Sequence, residues 1–479
     1  MTPFQITFLG ALGVLLFFLV YGILHKSDVK SYFNCNRRLD KEEFGSSFAA
    51  ASTSLATVLF FFVTLGLENG LYILISPLSY LVGIVLFNKY ILPKLEKYRY
   101  AESNATGLIS VGSTLGMFME QRFGSKWIKI MISVITMLGI ISVLLIELYV
   151  GVDIFNIFIK PQYREIALVI IAVVVFAYTS LGGLNTVVKT DKIQFTFMFL
   201  VAFGIVLWLC FQKPSVTIND FFPEPLPLSK GLLLEWPLLL NMVFVNILLI
   251  PSMLRNWQLI AATRNYSEVG KGLMGGFGRT AIISALFVIF GILFFNIFPQ
   301  TELSLNGILS SMASSNDKVI SMILLPLLFM ACLMALLSTV DSSLLPIVQS
   351  ISCDFGKKIE KMMWYYFITG ILLLLTLGIY YVVFKLLKFE LIEWLFTIFS
   401  LVTISSPAII LGCIGNQTVL QKKSVRVGTI VATIVGLILA LLISYLGNVM
   451  ENIWLIQLNT PIAAFVDSII LIIVYKLNS

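Results

Sequence analysis

The segment Ala335-Leu336-Leu337-Ser338-Thr339-Val340-Asp341-Ser342-Ser343 places five oxygen-bearing side chains inside a long apolar run. Ser338, Asp341 and Ser342 are spaced i, i+3, i+4, so they share one face of a helix. Hydroxyls beside a carboxylate suit a hard cation such as sodium, which, like calcium, takes oxygen ligands. The same hydroxyls could instead bond back to their own helix. A second interruption is Ala49-Ala50-Ala51-Ser52-Thr53-Ser54-Leu55-Ala56-Thr57. Its small residues read either as a surface for close helix packing or as a helix that loosens and frees backbone carbonyls for a cation. Gly66 and Glu68-Asn69-Gly70 would then close that span. A third, Tyr178 to Gln194, contains Gly182-Gly183, expected to turn the chain between two spans. It also contains Asp191, expected near the start of the next helix, where the dipole favours an anion. A cap or a pair with Lys192 is the alternative there. Glu147 stands alone in Leu145-Ile146-Glu147-Leu148-Tyr149 and could hold a proton, bond a hydroxyl or meet a solute. Ionisable groups in such surroundings are costly and mark either a pathway or a tight pairing.

The elements that must position these residues are membrane helices. Of 479 residues, 58% are apolar and 12% charged, against about 25% charged in soluble domains. Apolar runs of about 20 residues recur from end to end, each long enough to cross a bilayer. The pattern predicts an all-α integral membrane protein of about thirteen spans, near 4–24, 45–70, 71–93, 125–158, 164–181, 187–212, 232–254, 274–298, 318–349, 362–386, 390–414, 425–446 and 455–476. The runs 125–158 and 318–349 exceed one crossing unless tilted or extended into water. The first run lacks a basic leader and a small-residue cleavage site, so it reads as a span and not a signal peptide.

Lysine and arginine orient the chain. With the N-terminus outside, only Lys160, Arg164, Lys213, Lys230, Lys318, Lys385 and Lys388 of the 32 basic residues fall outside. That asymmetry favours an N-out, C-in topology. It also accounts for the net charge of +7 without a nucleic-acid partner. The five cysteines show no paired spacing. The single histidine, His25, sits at a helix end beside Lys26. With no nucleophile–base pair and no His-Glu-x-x-His pattern, an intramembrane enzyme is not expected. A membrane sensor would need an appended signalling domain, and none is expected behind the last span.

Taken together, these residues resemble the sodium:solute symporter family, which includes bacterial proline, sugar and sialic acid symporters. Tyr178 to Gln194 is similar to the family's Tyr-x-x-x-Gly-Gly-x-x-x-x-x-x-Thr-Asp-x-x-Gln. Met334 to Asp354 resembles its Met-Ser-Thr-x-Asp-Ser helix with a later Asp. Thr114 to Ser125 resembles a short segment ending in Arg-Phe-Gly, although Gly116-Met117-Phe118 replaces Pro-Glu-Tyr. Glu68-Asn69-Gly70-Leu71 matches the end of the first core helix.

The resemblance implies a LeuT-type architecture. A leading span and cytoplasmic loop (1–44) would precede a first inverted repeat of five spans (45–212). An extracellular loop (213–231), a second repeat (232–414) and two trailing spans (415–479) would follow. The opening helix of each repeat would be discontinuous, the second in the region of Pro237, Asn241, Asn246 and Pro251. The family's principal sodium site maps to the carbonyls of Ala51 and Ser54, or Ala50 and Thr53 after a one-residue slip. Its other ligands map to the Ala335 carbonyl and the Ser338 and Thr339 hydroxyls. A second cation site in some members maps to Asp191, Ser338, Asp341 and Ser342. Here Asp341 is an acid where some members have serine. The apolar stretch Val58-Leu59-Phe60-Phe61-Phe62 and the lack of an arginine deep in 125–158 argue for a small, partly apolar solute. Its expected contacts are Thr53, Thr57, Ser79, Glu147, Asn241 and Thr397. The implied protein is a multi-pass carrier of the cell membrane. It would import a small organic solute with Na+, as a monomeric functional unit in the lipid bilayer. A proton-coupled carrier using Asp191, Asp341 or Glu147 is its main rival.

Overall fold

The computed structural model describes residues 2–28, 31–96, 114–155, 157, 163–212, 217–222, 236–299, 305–355, 362–386, 397 and 400–479. Among them the apolar runs fold into helices. The β pairing there is a single bridge, Leu39 with Thr263. Nine helices among the described residues are long and apolar enough to cross a membrane, or ten when one bent pair counts as a span. They are Pro3–Leu24, Gly70–Glu96, Lys126–Phe155, Glu165–Phe211, Tyr266–Ile297, Ile320–Phe355, Met362–Phe384, Lys423–Val449 and Ile453–Asn478.

The difference from about thirteen apolar runs has local causes. Two runs are merged in Glu165–Phe211, whose 47 residues measure about 70 Å at 1.5 Å per residue. That is roughly twice a bilayer core. Gly183 interrupts this helix with φ 59° and ψ −163°, so one of the two expected glycines makes the turn. Its Leu184 neighbour donates to Tyr32 O at 2.8 Å. Two other runs are broken helices, treated below. Ser400–Ile414 is short within the described residues.

Ile320–Phe355 is the most buried of the nine. Lys41–Ser52 packs against it, against the helix that carries Asp191 and against Tyr266–Ile297. The last contact is backbone to backbone: a Cβ at Gly276 would come within 2.8 Å of Gly45 O. The peripheral helices are turned apolar side out. On Lys423–Val449, Val427, Val431, Ile434 and Ile438 are exposed while Thr429, Thr433 and Ser444 are buried. Such a stripe would be a liability in water, and lipid covers it without cost.

Candidate ion and solute site

The first broken helix begins with Lys41–Ser52, capped by Asp40, and loses its helical geometry at Thr53 (φ −97°, ψ 65°). Ser54 follows outside any helix, and the chain resumes as a π-helix, Leu55–Phe60, and an α-helix, Phe61–Asn69. A restarting helix needs acceptors for its first N–H groups. Here they come from another span. Leu55 N donates to Glu147 Oε2 at 3.1 Å and Ala56 N to Glu147 Oε1 at 3.2 Å. Glu147 is fully buried. In an unbroken helix the Leu55 N–H would go to the carbonyl of Ala51, four residues back. Glu147 takes that donor instead. Ala50 O, by contrast, still accepts from Thr53 N at 3.1 Å.

The second broken helix is Trp236–Ser252 followed by Leu254–Ala262, bent by 42°. The break lies just beyond Pro251, at the C-terminal edge of the expected region, with Met253 extended (φ −74°, ψ 112°). Side chains of the second piece close carbonyls of the first. Asn256 Nδ2 donates to Ile250 O at 3.0 Å and Trp257 Nε1 to Pro251 O at 2.7 Å.

A buried polar junction ties these pieces together. Ser338 Oγ donates to Asp191 Oδ1 at 2.8 Å. Asp191 Oδ2 pairs with Arg255 Nη2 at 2.7 Å, and Ser47 Oγ bonds both partners. Asp191 therefore answers to Arg255, not to Lys192 or to a helix end; it lies roughly two turns beyond Gly183. Nearby, Tyr178 OH donates to Asp341 Oδ2 at 2.6 Å. Arg255 is absent from the residues expected to act, since its sequence position beside a span end reads as a cytoplasmic loop charge. The available signal is that it follows Pro251 by only four residues.

A cavity of about 200 Å³ opens beside the junction, lined by Ala51, Ser54, Thr339 and Ser342 on one side and by aromatic residues including Phe62 and Tyr80. This is below the roughly 300 Å³ at which drug-sized pockets begin. Asn241 lines it while its amide donates to Gln457 O. Four other expected solute contacts lie elsewhere. Thr53 Oγ1 bonds back to Ala49 O at 2.8 Å. Ser79 Oγ donates to Ser76 O at 2.7 Å and accepts from Asn246 at 3.2 Å. Glu147 closes the helix break, and Thr397 bonds Ser444 at 2.7 Å. The Thr57 side chain lies outside the described residues. Thr339 Oγ1 donates to Ala335 O at 3.0 Å.

Residues 32–224 match the profile of the sodium:solute symporter family. The fold is similar over 98% of this chain, and 97% of the other, to a substrate-bound, outward-open sodium-coupled sialic acid symporter, with TM-score 0.76 and 18% identity. A mutant of the Eremococcus coleocola manganese transporter is similar over 92% and 95% of the two chains (TM-score 0.55, 13% identity). MhsT in complex with L-phenylalanine is similar over 90% and 97% (TM-score 0.52, 14% identity). No curated protein sequence matches the chain. At such identities the structures speak to the fold, which is the LeuT type. Residues 32–224 thus resemble the sodium:solute symporter family, within a LeuT-type fold that runs through nearly the whole of a multi-pass membrane protein, consistent with the plasma membrane.

Proposed function

We propose that the protein is a sodium-coupled symporter that brings a small, partly apolar organic solute into the cell by alternating access. The observation that carries this reading is the diversion of the Leu55 N–H to Glu147, which relieves the Ala51 carbonyl of its helical donor beside the cavity. The proposed ligands are the carbonyls of Ala51, Ser54 and Ala335 and the hydroxyls of Ser338 and Thr339. Ser338 directs its proton at Asp191 and Thr339 at Ala335 O, so both oxygens keep lone pairs for a cation. The donor set is all oxygen, as a hard cation prefers. The release of Ala51 O by the diverted Leu55 N–H supports the Ala51 register, although Ser54 O accepts from Leu59 N at 3.3 Å as Ala50 O does from Thr53 N at 3.1 Å.

In this reading sodium bridges the first broken helix to Ile320–Phe355 and so shapes the cavity for solute. The proposed topology has thirteen spans, N-out and C-in, with inverted repeats at 45–212 and 232–414 rocking about the site. A membrane potential supplies about 2.3 kcal/mol per charge per 100 mV, enough for roughly 50-fold accumulation, since each 1.4 kcal/mol is about tenfold. The cavity's size and aromatic lining support a small solute with an apolar part.

The test is uptake into vesicles across a panel of amino acids, monocarboxylates, vitamins and sugars, with and without a sodium gradient. Sodium-stimulated uptake of a small, partly apolar compound is the expected result. A large polyol as preferred substrate would overturn the solute class. Uptake that ignores sodium and follows pH would move the coupling to a proton carried by Asp341 or Glu147.

A further inference from the structure

We propose that Arg255 is a built-in cation at Asp191, its guanidinium holding the place a second coupling sodium would need, so that the carrier runs on a single sodium. This rests on the sodium-coupled reading above. The first argument is occupancy. A carboxylate offers about four lone-pair sites. Asp191 Oδ2 receives Arg255 Nη2 and Ser47, and Oδ1 receives Ser338. A sodium on either oxygen would sit beside the guanidinium in a place where salt screens poorly. Arginine keeps its charge at any physiological pH, so the position is never vacated by deprotonation.

The second argument is the divergence of the other donors. Asp341 shares a helix face with Ser338, but its Oδ2 is engaged by the Tyr178 hydroxyl. The hydrogen bonds of the two acids thus go to different partners.

The third argument concerns what remains if the guanidinium is removed. Asp191 is fully buried and Arg255 nearly so, and a buried charge stripped of its partner is strongly unfavourable. Arg255 also lines the cavity. A small cation in the cavity could reach the position Arg255 vacates, with Asp191 and Ser338 ready to receive it. The same geometry gives Arg255 a mechanical role. It sits directly past the 42° bend and bonds Ser47 on the first broken helix, so the tethered cation moves with the elements that must rock.

The experiment counts sodium bound per chain by equilibrium binding of radioactive sodium to the purified full-length protein. Wild type is expected to show a single saturable sodium. Arg255→Gln should gain a second, and millimolar guanidinium should compete for that second ion only. Asp191→Asn/Arg255→Gln, which neutralises both partners, should return to a single sodium. Two sodiums in wild type would overturn the proposal. So would an Arg255→Gln protein that gains none and ignores guanidinium. If Arg255→Gln fails to fold, the double variant should fold, because the stranded charge is gone; failure of both would assign Arg255 to packing and overturn the proposal. Wild type that binds no sodium would instead reject the sodium-coupled reading itself, a separate outcome.

Discussion

The carboxylate of Glu147 caps a helix that begins on a different span, taking Leu55 N and Ala56 N on its two oxygens at 3.1 and 3.2 Å. N-terminal caps ordinarily come from the residue just before the helix. Here the cap crosses the bundle from Lys126–Phe155, so the break at Thr53–Ser54 depends on tertiary packing as well as on local sequence. An anion at that position also suits the positive end of the restarting helix.

Glu147→Ala should therefore close or blur the break and weaken sodium binding. Hydrogen bonds to a charged group contribute about 1.5–3 kcal/mol, so the sodium concentration for half-maximal uptake should rise at least about tenfold. Glu147→Gln keeps a carbonyl oxygen for one of the two N–H groups and should fall between. Equal sodium activation in all three proteins would show that Glu147 does not set the ion site.

Ser338 and Thr339 separate two effects. Thr339→Ala removes one proposed ligand and its bond to Ala335 O, and sodium activation should shift to higher concentration by roughly tenfold for a loss of about 1.4 kcal/mol. Thr339→Ser restores the hydroxyl and should restore sodium activation. Ser338→Ala also strips Asp191 Oδ1 of its donor, so it should lower thermal stability as well as sodium affinity. Unchanged sodium activation in both alanine variants would remove these residues from the site.

How far the sequence could be read depended on where each partner came from. The break after Ser52 was legible because small, hydroxylated residues interrupt an apolar run. The turn at Gly183 was legible because glycine tolerates positive φ. The partner of Glu147 was not, since backbone N–H groups of a distant helix leave no side-chain signature. Arg255 was hidden by the bend at Met253, which folds a residue from an apparent loop into the interior. Thr397 read as a solute contact, yet its hydroxyl joins Ser444 of a trailing helix. Two segments that carry the family resemblance hold helices in place. Arg122 Nε donates to Gly412 O at 2.6 Å, closing the end of Ser406–Ile414. Asp354 accepts from Thr114 and Ser133 at 2.5 and 2.8 Å.

Gly183→Ala should damage folding more than transport chemistry. A Cβ there would lie 2.8 Å from both Tyr32 O and the Tyr32 ring, and φ is +59°. Backbone strain of this kind costs about 1–3 kcal/mol, before the clash. A lower yield of folded protein and a reduced melting temperature in detergent are expected. Gly13→Ala, where a Cβ meets nothing within 4 Å, should be neutral in the same assay.

Phe62 tests whether the cavity selects the solute. It is buried and lines the cavity with Phe61 and Tyr80, while making none of the hydrogen bonds of the ion site. Phe62→Ala should enlarge the space without touching Ala51, Ser338 or Thr339. In a hydrophobic pocket one methylene is worth about 1–3 kcal/mol of discrimination. The native solute should thus lose affinity by at least about tenfold, and an analogue bulkier by a ring or a branched chain should gain relative to it. Sodium activation at saturating solute should stay where it is in wild type. If preference among analogues of different size is unaltered while sodium activation changes, Phe62 supports the helix break and the solute binds elsewhere.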